Sequence, residues 1–140
     1  MIPWSKLTGI PRQAIHEYCR AWDYAHANDE AILEADPRKD RVLEAIRSRK
    51  GDPARAFAEL LSLAEQGSAW SMFQVAWCHH RGVGVAASRA AAEAWYRRAH
   101  EAGSQRASLD YGRMLARRGD VDLREAVYGA GAVSVGPAPA

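Results

Sequence analysis

The chain has 140 residues, 48% of them apolar and 26% charged, with a formal charge of +2. That is enough for one domain with its own core, and it excludes disorder on compositional grounds. The balance of 19 basic against 17 acidic side chains is too even for a dedicated nucleic-acid or membrane binder, and two cysteines without Cys-x-x-Cys spacing exclude a disulfide scaffold.

Twenty-eight alanines against six prolines tilt the chain toward helix. The first eleven residues lack a charged head followed by an apolar run, so they do not read as a signal peptide. No stretch approaches a membrane span, and the expected setting is cytoplasmic.

Pro11 opens a helix whose apolar stripe is Ile15, Tyr18, Cys19, Trp22 and Ala25. Asn28 or Asp29 then either caps a restart through Ile32 and Leu33 or lies within one continuing helix. Asp36-Pro37 is a start signal for a helix burying Val42, Leu43 and Ile46, which Gly51 ends. Asp52-Pro53 repeats the signal, and Phe57, Leu60, Leu61 and Ala64 form the next stripe, up to Gly67. Ser68 caps a helix to about His80, Gly82-Val83-Gly84-Val85 makes a loop, Ser88 caps a helix to Ala102, and Gly103-Ser104 begins one to Arg117.

From Gly67 the chain repeats itself. Glu65-Gln66-Gly67-Ser68 recurs as Glu101-Ala102-Gly103-Ser104, a shift of 36 residues. At the same shift Phe73 falls on Leu109, Val75 on Tyr111, Ala76 on Gly112, Ala56 on Ala92 and Leu60 on Tyr96. Two helices per unit at this period predict an all-α fold, an α/α solenoid of antiparallel helix pairs. We expect a short right-handed superhelix of about six to seven helices.

The segment Gly67 to Gly103 resembles one complete Sel-1-like repeat, a relative of the tetratricopeptide repeat. The resemblance is carried by Phe73-Gln74-Val75-Ala76, by Arg81-Gly82-Val83-Gly84-Val85, and by Ala92-Glu93-Ala94-Trp95-Tyr96-Arg97-Arg98-Ala99 ending at Glu101-Ala102-Gly103. Residues 52–67 resemble the second helix of a preceding repeat, with Glu59-Leu60 where the family usually has Trp-Tyr. Residues 103–116 resemble the first helix of a following one. Beyond Arg117 the loop is about two residues shorter and no second Trp-Tyr appears.

The expected organisation is a divergent helical region, 1–51, packed on the repeats, then repeats over 52–128 with 67–103 the best unit, and a flexible Gly-Ala-Pro tail over 129–140. In this reading Gly67, Gly82, Gly84, Trp95, Tyr96 and Gly103 are structural, with Trp95 and Tyr96 in the core. The resemblance implies bacterial adaptor, signalling or secretion-linked roles among others and selects none of them.

In a helical-hairpin solenoid the first helix of each pair lines the concave surface. Trp70, Gln74, Trp77 and Arg81 fall at offsets 0, 4, 7 and 11, within roughly 60° on a helical wheel. The shift of 36 gives Arg106, Asp110, Arg113 and Arg117 on the matching face of the next first helix. A groove of indoles and guanidiniums around one carboxylate is built from the residue types that dominate binding hot spots. Trp70 is expected to be exposed, at a position where the family is usually polar, while Trp77 fits core or groove.

The expected activity is a non-catalytic protein-protein interaction module, an adaptor or regulatory scaffold. Its partner would be a protein or peptide segment with an acidic and an apolar part. A nucleic-acid binder using the arginine face is the alternative, which two repeats and a +2 charge argue against. A self-associating structural module is a third reading. No catalytic constellation stands out: Cys19 with His16, or Cys78 with His79, lies on an apolar face where thiols are inert. The adjacent His79 and His80 diverge by about 100°, and Gly82-Val83-Gly84 lacks a P-loop's strand and Lys-Ser/Thr. No metal or cofactor is implied.

Overall fold

The computed structural model describes residues 12–117, and these form six helices with no strand among the described residues. They are α1 (Arg12–Ala35), α2 (Lys39–Ser48), α3 (Pro53–Glu65), α4 (Ala69–Arg81), α5 (Arg89–Glu101) and α6 (Gln105–Arg117). Each of α2 to α5 packs on the helix that follows it, as in a helical solenoid, and α1 returns to lie along α6 with further contacts to α4 and α2. The start of the first helix at Pro11, a helix beyond Arg117 and the tail 129–140 fall outside the described residues.

The punctuation of the sequence sets the helix ends. Asp52 accepts a hydrogen bond from the Arg55 amide at 3.1 Å with Pro53 in the first turn, and Ser88 accepts from Ala91 at 3.2 Å. Gly82 closes α4 in the left-handed conformation, φ +72°. At Asp36-Pro37 the helix starts later than the sequence suggests. The Asp36 carboxylate accepts from the Arg38 amide (2.9 Å) and from its Nε (2.8 Å), holding a turn before α2 begins at Lys39.

Of the two readings at Asn28-Asp29, the structure has the continuing one. α1 is a single helix of 24 residues, roughly 36 Å long. On α2 the fully buried residues are Val42 and Ala45, while Leu43 and Ile46 are only partly covered. The burial centre therefore lies to one side of the expected face, because α2 packs on α3 and has little of α1 against it.

The core is built from Leu60, Leu63, Val75, Tyr96 and small residues such as Ala64, Ala76, Ala92, Ala99 and Ala107. Alanines at these positions let helix axes approach closely, and Tyr96 fills the space between α4 and α5. Its ring lies 5.8 Å from that of Phe73, and its hydroxyl is 3.4 Å from His80 Nδ1. Burial pushes the Tyr96 phenol up to about 12. Trp95 is half-buried at the edge of this core beneath the Arg98 guanidinium, 4.0 Å from the ring centroid.

The α4–α5 loop folds onto the start of α3, which explains Gly84. Its φ is +75°, and a Cβ there would stand 2.1 Å from the Pro53 carbonyl oxygen and 3.0 Å from Phe57 Cβ. Only glycine fits this close backbone approach.

Candidate functional site

α4 and α6 start from a shared Glu-x-Gly-Ser pattern and lie two helices apart, so equivalent positions face the same side. At the N-terminal ends of the two helices, Arg106 lays its guanidinium 4.5 Å from the Phe73 centroid and 5.4 Å from that of Trp70. Trp70 is thereby half-buried and packed against the core, a correction to its expected exposure. Burial lowers the Arg106 pKa from the ordinary arginine value, against the opposing pull of Asp29, Tyr96 and Glu30.

A second group lies at the C-terminal ends of the two helices. A cleft of 370 Å³ opens there, lined by His80, Arg81, Asp110, Arg113, Met114 and Arg117. Arg113 is salt-bridged to Asp110, one turn earlier on α6. Arg81 and Arg117 are exposed and have no ion pair among the described residues. His80 sits among these charges, and its pKa is lowered by burial and then by Arg81, Arg117, Arg113 and Arg89.

Gln74 and Trp77 belong to neither group. The Gln74 side chain is buried and accepts from Arg49 Nη1 at 2.9 Å, and the same guanidinium lies 4.6 Å from the Trp77 centroid. The eight residues expected to share one groove thus divide in three: Trp70 with Arg106, Gln74 and Trp77 with Arg49, and Arg81, Asp110, Arg113 and Arg117 around the cleft. The cause is the central place of α4, whose only exposed member among Trp70, Gln74, Trp77 and Arg81 is the arginine.

The remaining cover comes from α1. Its packing partners α6, α4 and α2 are the first helices of their pairs, so it lies on the face read as concave. Trp22 lies under Arg113, with the guanidinium 5.8 Å from its ring centroid, and Ala25 meets Leu109. Asp29, 3% exposed, accepts from Ser104 Oγ (2.7 Å), from the Gln105 amide (2.8 Å) and from the Arg106 amide (3.3 Å). Its neighbour Asn28 donates to the Gly103 carbonyl at 3.0 Å. Asp29 thus caps α6 from another helix, where its carboxylate also meets the positive end of the helix dipole.

The chain matches no protein-family model, no curated protein and no solved structure. The site is therefore described by its own chemistry. All four described tryptophans, Trp22, Trp70, Trp77 and Trp95, face a guanidinium within 6 Å. Arg98 was legible as the partner of Trp95, being one turn away, but Arg49 and Arg113 reach theirs across helices.

Sequence reasoning also missed Asp29 as a site residue. The signal was present: Trp22, Ala25, Asp29 and Leu33 follow at spacings of 3, 4 and 4, which puts a carboxylate in the middle of the buried stripe. An acid in that register demands a buried partner.

His79 and Cys78 are packed into the faces of α4, Cys19 is partly covered, and His26 and His80 are exposed. His79 stands edge-on to Phe57 at 5.2 Å, and Cys78 is fully buried with its thiol pKa pushed up by burial against the pull of Arg49. Among the described residues no three His, Cys, Asp or Glu side chains gather as metal ligands, and no helix is long and apolar enough to cross a membrane. The side chain of His16 lies outside the described residues.

Proposed function

We propose that the chain is a non-catalytic protein-protein interaction module, an adaptor or regulatory scaffold of the Sel-1-like kind, that engages a protein segment on the first-helix face of α4 and α6. The observation that carries this reading is the cleft at the ends of those helices. Three guanidiniums and one carboxylate surround it, with Met114 as an apolar patch. Asp110 offsets only one of the three charges, so the cleft suits the acidic part of a partner, and arginine's planar fork matches carboxylates. The indole–guanidinium layer beside it supplies apolar contact, as binding hot spots do.

The experiment is affinity capture from cytosol with mass-spectrometric identification, comparing the native chain with an Arg81→Glu, Arg117→Glu variant. Both side chains are exposed, so the fold should be untouched and the circular-dichroism melt should coincide with that of the native chain. The variant should lose the native chain's specific partners at least tenfold. Retention of the same partners at the same level would end the reading.

A further inference from the structure

We propose that the first-helix face is a docking surface for an amphipathic helix, with α1 as its exchangeable resident: a partner helix binds antiparallel to α6 by taking the place of α1. This rests on the interaction-module reading and names the chemistry of the partner.

What α1 offers the face defines what fits it. Trp22 lies beneath a guanidinium, Ala25 permits close approach to Leu109, and seven residues after the tryptophan Asp29 caps the first turn of α6. The chemistry required is therefore an aromatic residue, a small residue three later, and a carboxylate seven later on the same helix stripe.

Three observations make α1 exchangeable and not merely a permanent part of the core. The first is a narrow hold. Of its described residues only Ala25, Asp29 and Leu33 are fully buried, and two of these contribute little apolar area. The second is an incomplete fit. The indole N–H of Trp70 and the Nε–H groups of Arg106 and Arg113 are buried without an acceptor among the described residues. Arg113 lies over Trp22 of α1 and the Arg106 amide donates to Asp29, so these two guanidiniums border α1 while their Nε–H groups make no hydrogen bond to it.

The third is an independent anchor at the junction. α1 ends at Ala35, Pro37 prevents it from running on into α2, and the turn between them is fastened separately. Asp36 holds Arg38, whose guanidinium reaches the Gln66 carbonyl, so α2 stays in place if α1 leaves.

The test uses the full chain and a fluorescein-labelled synthetic peptide of residues 12–35. By anisotropy, the native chain should bind it weakly and an Asp29→Ala chain at least tenfold more tightly, because its own α1 no longer holds the face. A peptide that itself carries Asp29→Ala should lose that gain. Hydrogen exchange on the native chain gives a second measurement that needs no variant. The amides of α1, Gln105 and Arg106 should exchange together and at least tenfold faster than those of α4.

No peptide uptake by a helical Asp29→Ala chain would overturn the proposal, and so would α1 amides exchanging no faster than those of α4. Dimerisation of the variant without peptide uptake would make a second copy the occupant and overturn it equally. If Asp29→Ala does not fold, the exchange measurement decides. Capture that is indifferent to Arg81→Glu with Arg117→Glu sinks the interaction-module reading without touching the peptide result, so the two failures are distinguishable.

Discussion

The starts of α4 and α6 are the same local structure with different fastenings. Gly67 and Gly103 have φ of +104° and +105°. Ser68 and Ser104 accept from the amide three residues on, at 3.2 and 3.1 Å. What lies over them differs. At α4 the cover is the turn before α2, where Arg38 binds the Gln66 carbonyl and Asp36 draws on Ser68. At α6 it is the middle of α1, where Asn28 and Asp29 take the carbonyl, the hydroxyl and two further amides. A repeat therefore reproduces its own backbone geometry but not its surroundings.

The largest effect should come from removing one acid and then the other. Asp29→Ala leaves the Ser104 hydroxyl and two amides unsatisfied, which should weaken α1 docking by about 3 kcal/mol. Asp36→Ala, where Arg38 keeps its bond to Gln66, should cost about 1 kcal/mol. Urea melts combined with hydrogen exchange would show both; equal costs would mean the two fastenings are alike.

The serines should follow the same order. Ser104→Ala loses a cap and a partner of Asp29, about 2 kcal/mol, while Ser68→Ala loses chiefly a cap, about 1 kcal/mol. The glycines should not differ. Gly67→Ala and Gly103→Ala each force an L residue into positive φ at about 1 kcal/mol, with nothing nearer than 3.6 Å to the new Cβ. A gap between these two in thermal melts would show that the backbones are not equivalent.

The smallest effect is in pH. On the α6 side His100 Nδ1 lies 2.5 Å from Ser108 Oγ, and burial holds the His100 pKa below 6.5 despite nearby Glu101. The unfolded chain then takes up the proton more readily. The stability His100 contributes is complete above pH 6.5 and lost as the pH falls through its folded value. His79 and His80 are lowered by burial in the same direction.

On the α4 side burial would raise the Asp36 pKa. Its hydrogen bonds from Arg38 and Ser68, together with the Arg38 charge, outweigh that and hold it below 3.8. Its contribution is therefore present above pH 3.8 and lost only as the pH falls through the lower folded value. Amide shifts followed by NMR should move around His79, His80 and His100 at higher pH than around Ser68. The reverse order would contradict the assignment of cause.

Much of the fold was legible because its signals are local. Asp52-Pro53, Ser68, Ser88 and Ser104 start helices where the sequence says they should, since a cap satisfies amides within four residues of itself. The register of 36 residues placed Arg106 with Trp70 on one side of the molecule, because two helices with the same start expose equivalent faces. The expected groove was less legible. Gln74 and Trp77 were read as lining it and are held by Arg49, 25 residues or more away in the chain.

By itself the sequence determined where α3, α4, α5 and α6 begin and that helices come in adjacent packed pairs. Only the tertiary structure decided that α1 lies on the first-helix face, that Asp29 caps a helix 75 residues later, and that the open part is the cleft between Arg81 and Arg117. The reason is range. Caps and apolar periods are satisfied within a turn or two, whereas a buried carboxylate or an indole takes whatever donor or cation the packing of distant helices brings to it.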